Sequence, residues 1–371
     1  MSSILVTGGA GFIGSHLVDA LLAEGHRVRV LDNLEPQVHG TAKPDYLNSR
    51  AEYVWGDVRD RELLRRALQG IDVVFHEAAA VGVGQSMYQV EKYVSVNCLG
   101  TAALLDVIVN DRVPLKKLIV ASSMSIYGEG QYRCARCGVV APSLRTDAQL
   151  AAHHWEMTCP RCQQPAAPEG AAEDKPLVPT SVYAVTKRDQ EELCLSVGRG
   201  YKIPTVALRY FNVYGPRQSL SNPYTGVCAI FSSRIKNGNA PLIYEDGRQS
   251  RDFVHVSDIV RANLLVMRED RANDGVFNVG TGRSTSILDI ADTLAKLYGT
   301  SVAVAPGLKF REGDIRHCFA DISRIAGIGF APKTTLENGL RDLVEWGRQA
   351  RSKDLVDDAA RELEARGLAK G

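Results

Sequence analysis

No basic segment followed by a long apolar run opens this chain: Met1-Ser2-Ser3-Ile4-Leu5-Val6 leads straight into apolar residues. That start predicts a protein without a secretory signal peptide. No apolar run reaches the roughly 18 residues a membrane-spanning helix needs, so none is expected. Charge of one sign is not in excess either. The formal net charge is +1, which argues against partners recognised by bulk charge, so neither nucleic acid nor an anionic membrane is expected. No internal repeat is evident. These absences predict a cytoplasmic protein in which the eight cysteines are reduced or metal-bound.

What is present is length and apolar content. The 371 residues, 45% of them hydrophobic, suffice for two domains or one large α/β unit with an appendage. Ile4–Thr7 reads as a buried parallel strand. Gly8-Gly9-Ala10-Gly11-Phe12-Ile13-Gly14 follows, and an amphipathic helix then runs to about Glu24. Gly9, Gly11 and Gly14 satisfy G-x-G-x-x-G at a strand-to-helix turn, where the backbone must turn tightly and approach a pyrophosphate seated on the helix N-terminus. The next strand, Arg27–Leu31, ends in Asp32, an acid placed to bond the adenosine ribose hydroxyls. It would repel a 2′-phosphate and no Arg follows it, so NAD is expected rather than NADP.

Further strands are expected at Glu52–Trp55, Val73–His76 and Leu118–Ala121, with helices at Arg61–Gln69 and Tyr93–Asn110. Gly56-Asp57-Val58 is placed to hold an adenine ring. Glu77-Ala78-Ala79-Ala80 supplies small residues past which a dinucleotide can run. Asn97 lies in the long helix, and Ser122-Ser123 ends the Leu118–Ala121 strand. Strands alternating with helices predict an α/β fold with a doubly wound parallel sheet, ligands sitting at the carboxyl ends of its strands.

Ser181-Val182-Tyr183-Ala184-Val185-Thr186-Lys187 reads as the start of a helix. Residues four apart share a face, so the Tyr183 phenol and the Lys187 ammonium point into one space. A nearby cation favours the phenolate, which makes Tyr183 a candidate base for a sugar or alcohol hydroxyl. The pair means catalysis only where a redox cofactor and a second polar group accompany it.

Cys134-Ala135-Arg136-Cys137 and Cys159-Pro160-Arg161-Cys162 have the spacing of a four-thiolate zinc site. Disulfides or an empty knuckle are the other readings. His153 and His154, on a short helix expected within Thr146–Trp155, read as surface residues, since four cysteines complete the site. Such a metal would have no open position and would stabilise rather than catalyse. Pro165–Pro179 reads as a return linker, and Thr205–Arg209 as a sixth strand. Beyond Arg209-Tyr210-Phe211-Asn212 the alternation lapses. Ser257–Glu269 is expected to be a helix opened by a Ser cap, with a strand at Val276–Val279, helices at Ile287–Tyr298 and Leu336–Arg348, and a turn at Arg311-Glu312-Gly313-Asp314. The charged tail, 352–371, reads as a solvated helix with no assigned task. Arg217, Arg251 and Arg311 in this half suit diphosphate recognition.

Taken together, the motifs resemble the extended short-chain dehydrogenase/reductase family, in particular its nucleotide-sugar epimerases and dehydratases. The matches run in family order: Thr7 to Gly14, Asp32-Asn33, Gly56-Asp57, Asn97 with Gly100-Thr101, Ser122-Ser123, Tyr183 with Lys187, Arg209 to Asn212, Arg251-Asp252-Phe253-Val254-His255 and Arg311 to Asp314. The resemblance implies a Rossmann-type domain over 1–128 and 176–210, a zinc-ribbon-like insertion over 129–175, a smaller C-terminal substrate lobe over 211–351, and the tail. It implies that NAD is held by Gly8, Gly11, Phe12, Ile13, Gly14, Asp32, Asn33, Asp57, Val58, Ala78, Ala79, Ala80, Asn97, Tyr183 and Lys187. Ser123 and Tyr183 would bond the sugar hydroxyl being oxidised, and Lys187 the nicotinamide ribose. Asn212, Arg217, Arg251, Arg311 and Asp314 would contact a dTDP- or UDP-linked sugar. Cys318 matches a position that limits pocket size in related hexose epimerases, although a core cysteine is an equal reading. A homodimer pairing the Tyr93 and Tyr183 helices is also implied.

The departure from the family is the cysteine insert. With the Leu31–Gly40 stretch, it is similar to enzymes that act as dTDP-L-rhamnose 4-epimerases. Met124 and Ser125 stand where the family's 4,6-dehydratases carry an Asp-Glu pair. The expected activity is therefore C4 epimerisation, with UDP-hexose 4-epimerase, 4,6-dehydratase and non-catalytic NAD-binding scaffold as alternatives.

Overall fold

Each apolar run of the N-terminal half becomes one strand of a seven-stranded parallel sheet. In a computed structural model covering residues 1–371, all are described except 301, 303, 312 and 371. The strands lie in the order Val276–Val279, Thr205–Tyr210, Lys117–Ser123, Val73–His76, Ser3–Thr7, Arg27–Asp32, Glu52–Trp55. Alternate residues face opposite sides. Ile4, Val6, Val30 and Phe75 enter one core and Leu5, Leu31, Val74 and Leu118 the other, which is why these strands read as continuous apolar runs. The chain leaves Ser3–Thr7 toward one edge, then crosses back to Val73–His76 on its other side. That reversal opens a crevice at the carboxyl ends of these two strands.

The long helix starts earlier than expected. Val90–Tyr93 is α-helical, Val94–Leu99 is a π-helical turn, and Gly100–Asn110 is α-helical again. By length and composition Val90–Asn110 is apolar enough to cross a membrane, contrary to the expectation from its sequence, where no continuous apolar run is that long. Half of it is buried in the fold, where Leu104, Leu105, Val107 and Ile108 pack into the second core. The Tyr183 helix spans Val182–Tyr201, and the Ser181 side chain caps it by accepting from Ala184 N. The helix expected from a Ser257 cap instead spans Val256–Arg268. Its cap is His255, whose ring Nδ1 accepts from Ser257 N at 3.3 Å and lies 2.9 Å from Ser257 Oγ.

The insert folds as a three-stranded antiparallel sheet, Gly138–Val140 against Gln131–Cys134 against Ala166–Glu169. Part of the expected Pro165–Pro179 linker is thus a strand. The short helix is Asp147–Ala151 alone, and His153 lies beyond it, stacked on Trp155 at 5.1 Å. A buried ionic cluster fastens the insert to the C-terminal lobe. Arg145 pairs both nitrogens with Glu245 at 2.8 Å, and Arg316 reaches Glu156, Glu245 and Asp246. Glu129 accepts from the backbone N–H groups of Arg316 and His317.

In that lobe Val227–Lys236, Ile287–Tyr298 and Leu336–Gln349 enclose a third core. The tail departs from its sequence reading. Val356–Ala365 is a helix with Val356, Ala359 and Leu363 buried, and Ala369–Lys370 pairs antiparallel with Phe310–Arg311. Its apolar residues recur at the helical period, a pattern that the surrounding charges obscure.

Candidate active site

A cavity of about 1020 Å³ runs across the carboxyl ends of the strands into the C-terminal lobe. Its first wall is the glycine turn. Gly8 has φ +70, and a Cβ there would lie 2.8 Å from Ala78 N; at Gly14 a Cβ would lie 2.3 Å from Gly8 O. Only glycine lets the turn and Phe12–Ala23 close this tightly. The first N–H groups of that helix have no intrahelical acceptor and present partial positive charge, and Gly11, Phe12, Ile13 and Gly14 line the cavity. Asp32 also lines it, fixed by Ala10 N at 3.0 Å and Leu34 N at 2.8 Å. Asn33 donates to Asp57 at 3.2 Å, and hydrogen bonds from Arg59 hold the Asp57 carboxyl below its ordinary range. Val58, Ala78, Ala79 and Ala80 complete this half. Small residues, a helix N-terminus and an acid at the second strand form a dinucleotide cradle.

Asn97 does not line the cavity. It is fully buried on the π-helical turn, its Oδ1 accepting from Ala80 N at 2.7 Å and its amide donating to Ala80 O and Thr186. It holds the alanine wall from behind.

Ser123, Tyr183 and Lys187 converge on the middle of the cavity. Tyr183 is positioned through its backbone, its N–H donating to Ser86 Oγ at 3.0 Å, and its ring meets the edge of Tyr93 at 6.4 Å. Burial raises the phenol above its ordinary value, and the Ser123 hydroxyl facing it pulls the other way. The expected lowering by Lys187 is not the dominant effect. The Lys187 ammonium is buried and donates to Ala121 O and to Gln190 Oε1. Its own pKa is pushed down to about 8 by burial, against the pull of Glu77. Ser123 Oγ and Ser125 Oγ are 2.7 Å apart, and Met124 contributes a thioether to the wall.

In the substrate half, Asn212, Arg251, Arg311 and Asp314 line the cavity. Carbonyls of Ser250, Ile315 and Arg316 hold the Arg251 guanidinium at 2.7 to 3.0 Å. Arg311 donates to Asp314 at 2.9 Å and lies over the Tyr244 ring at 4.5 Å. Glu312 of the same motif falls outside the described residues. Two expected residues stand elsewhere. Arg217 pairs with Asp19 at 2.8 Å and covers the Tyr46 ring, away from the cavity wall. Cys318 is 1% exposed in the first core, which is the second of its two sequence readings.

Residues not anticipated also face the cavity. Glu77 accepts from Tyr210 OH at 2.8 Å, and burial pushes its carboxyl up to about 7. An acid directly after a strand that ends at the cofactor crevice was the available signal. Gln218 and Gln249 line the substrate half, and with Asn212 each has a buried amide oxygen with no partner among the described residues. Those three acceptors suit N–H and O–H donors of a polar ligand. Leu144 of the insert reaches the wall as well.

Cys134, Cys137, Cys159 and Cys162 have their sulfurs within 4.8 Å of one another, and none of the four lines this cavity.

A model of the NAD dependent epimerase/dehydratase family matches residues 4–143 and 157–280, the break falling inside the cysteine insert. The dTDP-L-rhamnose 4-epimerase of Burkholderia thailandensis is 38% identical over 347 residues, covering 92% of this chain and 94% of the relative. UDP-glucose 4-epimerase of Thermotoga maritima, solved with UDP-glucose, has a TM-score of 0.77 at 32% identity, over 94% of this chain and 99% of its own. UDP-glucuronic acid 4-epimerase of Bacillus cereus, solved with UDP-glucuronic acid and NAD, has a TM-score of 0.75 at 30% identity, over 94% and 99%.

Proposed function

The chain belongs to the NAD dependent epimerase/dehydratase family, and from that membership we propose that it is a nucleotide-sugar 4-epimerase, with dTDP-L-rhamnose as its substrate and a UDP-hexose as the alternative. The observation that carries this reading is Ser123, Tyr183 and Lys187 on one cavity wall with Met124 and Ser125 directly after Ser123. Gly8 to Gly14, Asp32, Asp57 and Ala78 to Ala80 would hold NAD, which supplies uptake and return of a hydride at sugar C4. Tyr183 takes the C4 hydroxyl proton while Ser123 bonds the same oxygen. The buried Lys187 charge, fixed by Ala121 and Gln190, favours the phenolate form that accepts this proton. Arg251 and Arg311 hold the diphosphate, their guanidinium planes set by carbonyls and by Asp314.

Elimination of the C6 hydroxyl would need a base at C5 and an acid at C6. A thioether cannot carry a proton and an unassisted serine is a poor base near neutral pH, so Met124 and Ser125 favour inversion. The keto sugar turns in the cavity and is reduced on its other face. The test is a C4-deuterated nucleotide sugar, dTDP- or UDP-linked, given to the purified protein without added NAD. A C4-inverted product that keeps its deuterium, with no lasting absorbance of free NADH, is expected. Accumulation of a 4-keto-6-deoxy sugar overturns the reading in favour of dehydration.

The four cysteines fit a structural zinc. Tetrahedral Zn–S bonds of about 2.3 Å put sulfurs about 3.8 Å apart; Cys134 and Cys162 stand at 3.6 Å, too far for a disulfide and near that spacing. One zinc per chain is expected by elemental analysis of protein purified without added metal. A Cys159→Ser variant that keeps full zinc content and stability would remove the site from consideration. A homodimer is supported by the exposed Val94, Leu99, Val185 and Leu193, apolar residues on the two neighbouring helices expected to pair.

A further inference from the structure

The charged tail, to which the family reading gives no part in catalysis or binding, borders the substrate half of the cavity. Val356, Ala359, Ala360 and Leu363 stand at helical positions i, i+3, i+4 and i+7, and all four line it, followed by Leu368. Charged residues beside this stripe and just before the helix anchor it. Asp357 and Asp354 meet Arg234 at 2.7 and 3.5 Å, and Glu364 meets Lys309 at 2.8 Å. Arg366 lies over the Tyr88 ring at 4.2 Å. One end of the helix reaches the catalytic side. Leu363 carbons lie 3.3 and 3.5 Å from where a Cβ on Gly84 would stand, so a side chain there would crowd them. Gly84 belongs to the Val83–Ser86 turn, whose Ser86 hydroxyl holds the Tyr183 N–H. Beyond the C-terminal end of the helix the chain reaches the diphosphate side, where Ala369 pairs with Arg311 in the ladder Phe310–Arg311 against Ala369–Lys370.

We propose that the tail, 352–371, is a specificity-determining wall of the nucleotide-sugar site, with Leu363 as its central contact. This rests on the nucleotide-sugar reading above. The wall offers no donor and no charge to the cavity, so a sugar carboxylate turned toward it would lose water without gaining a partner. An apolar edge, such as the C6 methyl of a 6-deoxy sugar, would lose water at no such cost.

The test measures binding of dTDP-L-rhamnose and UDP-glucose by calorimetry, with NAD content read on the same samples. It uses the intact chain, a chain ending at residue 351, and the Leu363→Ala and Leu363→Asp variants. Leu363→Ala removes apolar contact from the wall and should weaken binding about tenfold with NAD retained. Leu363→Asp should weaken it further, and dTDP-L-rhamnose should suffer more than UDP-glucose. If the shortened chain does not fold, the two point variants decide. Intact protein that binds neither nucleotide sugar overturns the functional reading and this inference with it. Intact protein that binds one of them, with both Leu363 variants binding it equally well, overturns the wall alone.

Discussion

Replacing Tyr183 by Phe is expected to lower turnover by about 10²-fold or more while NAD content stays at its original level, since losing a positioned general base removes at least that much. The substitution is clean for structural reasons. Everything that fixes Tyr183 acts on its backbone or its ring: the Ser86 bond to its N–H, the Ser181 cap at the head of its helix and the edge contact with Tyr93. The hydroxyl faces Ser123, which keeps a partner in Ser125 at 2.7 Å when the phenol is gone. No buried donor is left stranded, so stability should change little. Lys187 keeps Ala121 and Gln190, and the glycine turn is untouched. The measurement is kcat together with NAD released from denatured protein. Activity above about a tenth of the original would remove Tyr183 from the role of base.

The parts of this site that the sequence displays are those whose physics is local. A strand, a glycine turn and a helix start within the first 14 residues mark a phosphate cradle wherever they occur. Tyr183 and Lys187 share a helix face by spacing alone. The parts it hides depend on partners far along the chain. Arg217 and Arg311 look alike in sequence, but one is taken by Asp19 and the Tyr46 ring, while the other meets the cavity. The family resemblance implies a ligand contact at Asn97, yet the π-helical turn aims it at Ala80. Cys318 reads equally as a pocket or a core residue in sequence, and only the pairing of its strand with Ser250–Arg251 places it in the first core. The tail misled most. Charges flank its apolar stripe, and only the pairing of Asp357 with Arg234 and of Glu364 with Lys309 turns that stripe into an inner wall.

Arg316→Met is expected to cost about 1.5–3 kcal/mol of stability, because it removes charge-assisted hydrogen bonds and leaves Asp246 without its cation, while Glu156 is exposed to water and Glu245 keeps Arg145. Arg316 is fully buried and reaches three carboxylates: Glu156 of the insert, and Glu245 and Asp246 of the lobe. Arg145 can still neutralise Glu245, but nothing replaces the bonds to Asp246 at 2.7 and 2.9 Å. His317, with help from Arg316, holds the Glu156 carboxyl down to about 2 against the opposing effect of burial. That contribution is present above the ordinary carboxylate range and is lost as pH falls toward 2, so acid should loosen the same seam that the variant breaks. Arg316→Lys keeps the charge but loses the planar fork and should fall between the two. The effect should reach the substrate site, since the carbonyls of Ile315 and Arg316 orient the Arg251 guanidinium. A raised KM with NAD retained is therefore expected alongside the lower unfolding midpoint in guanidinium. A Met variant within about 1 kcal/mol of the parent would mean that the cluster is replaceable by apolar packing, as some buried ion pairs are. The insert would then be held to the lobe chiefly by the Arg145–Glu245 pair and by the backbone bonds of Arg316 and His317 to Glu129.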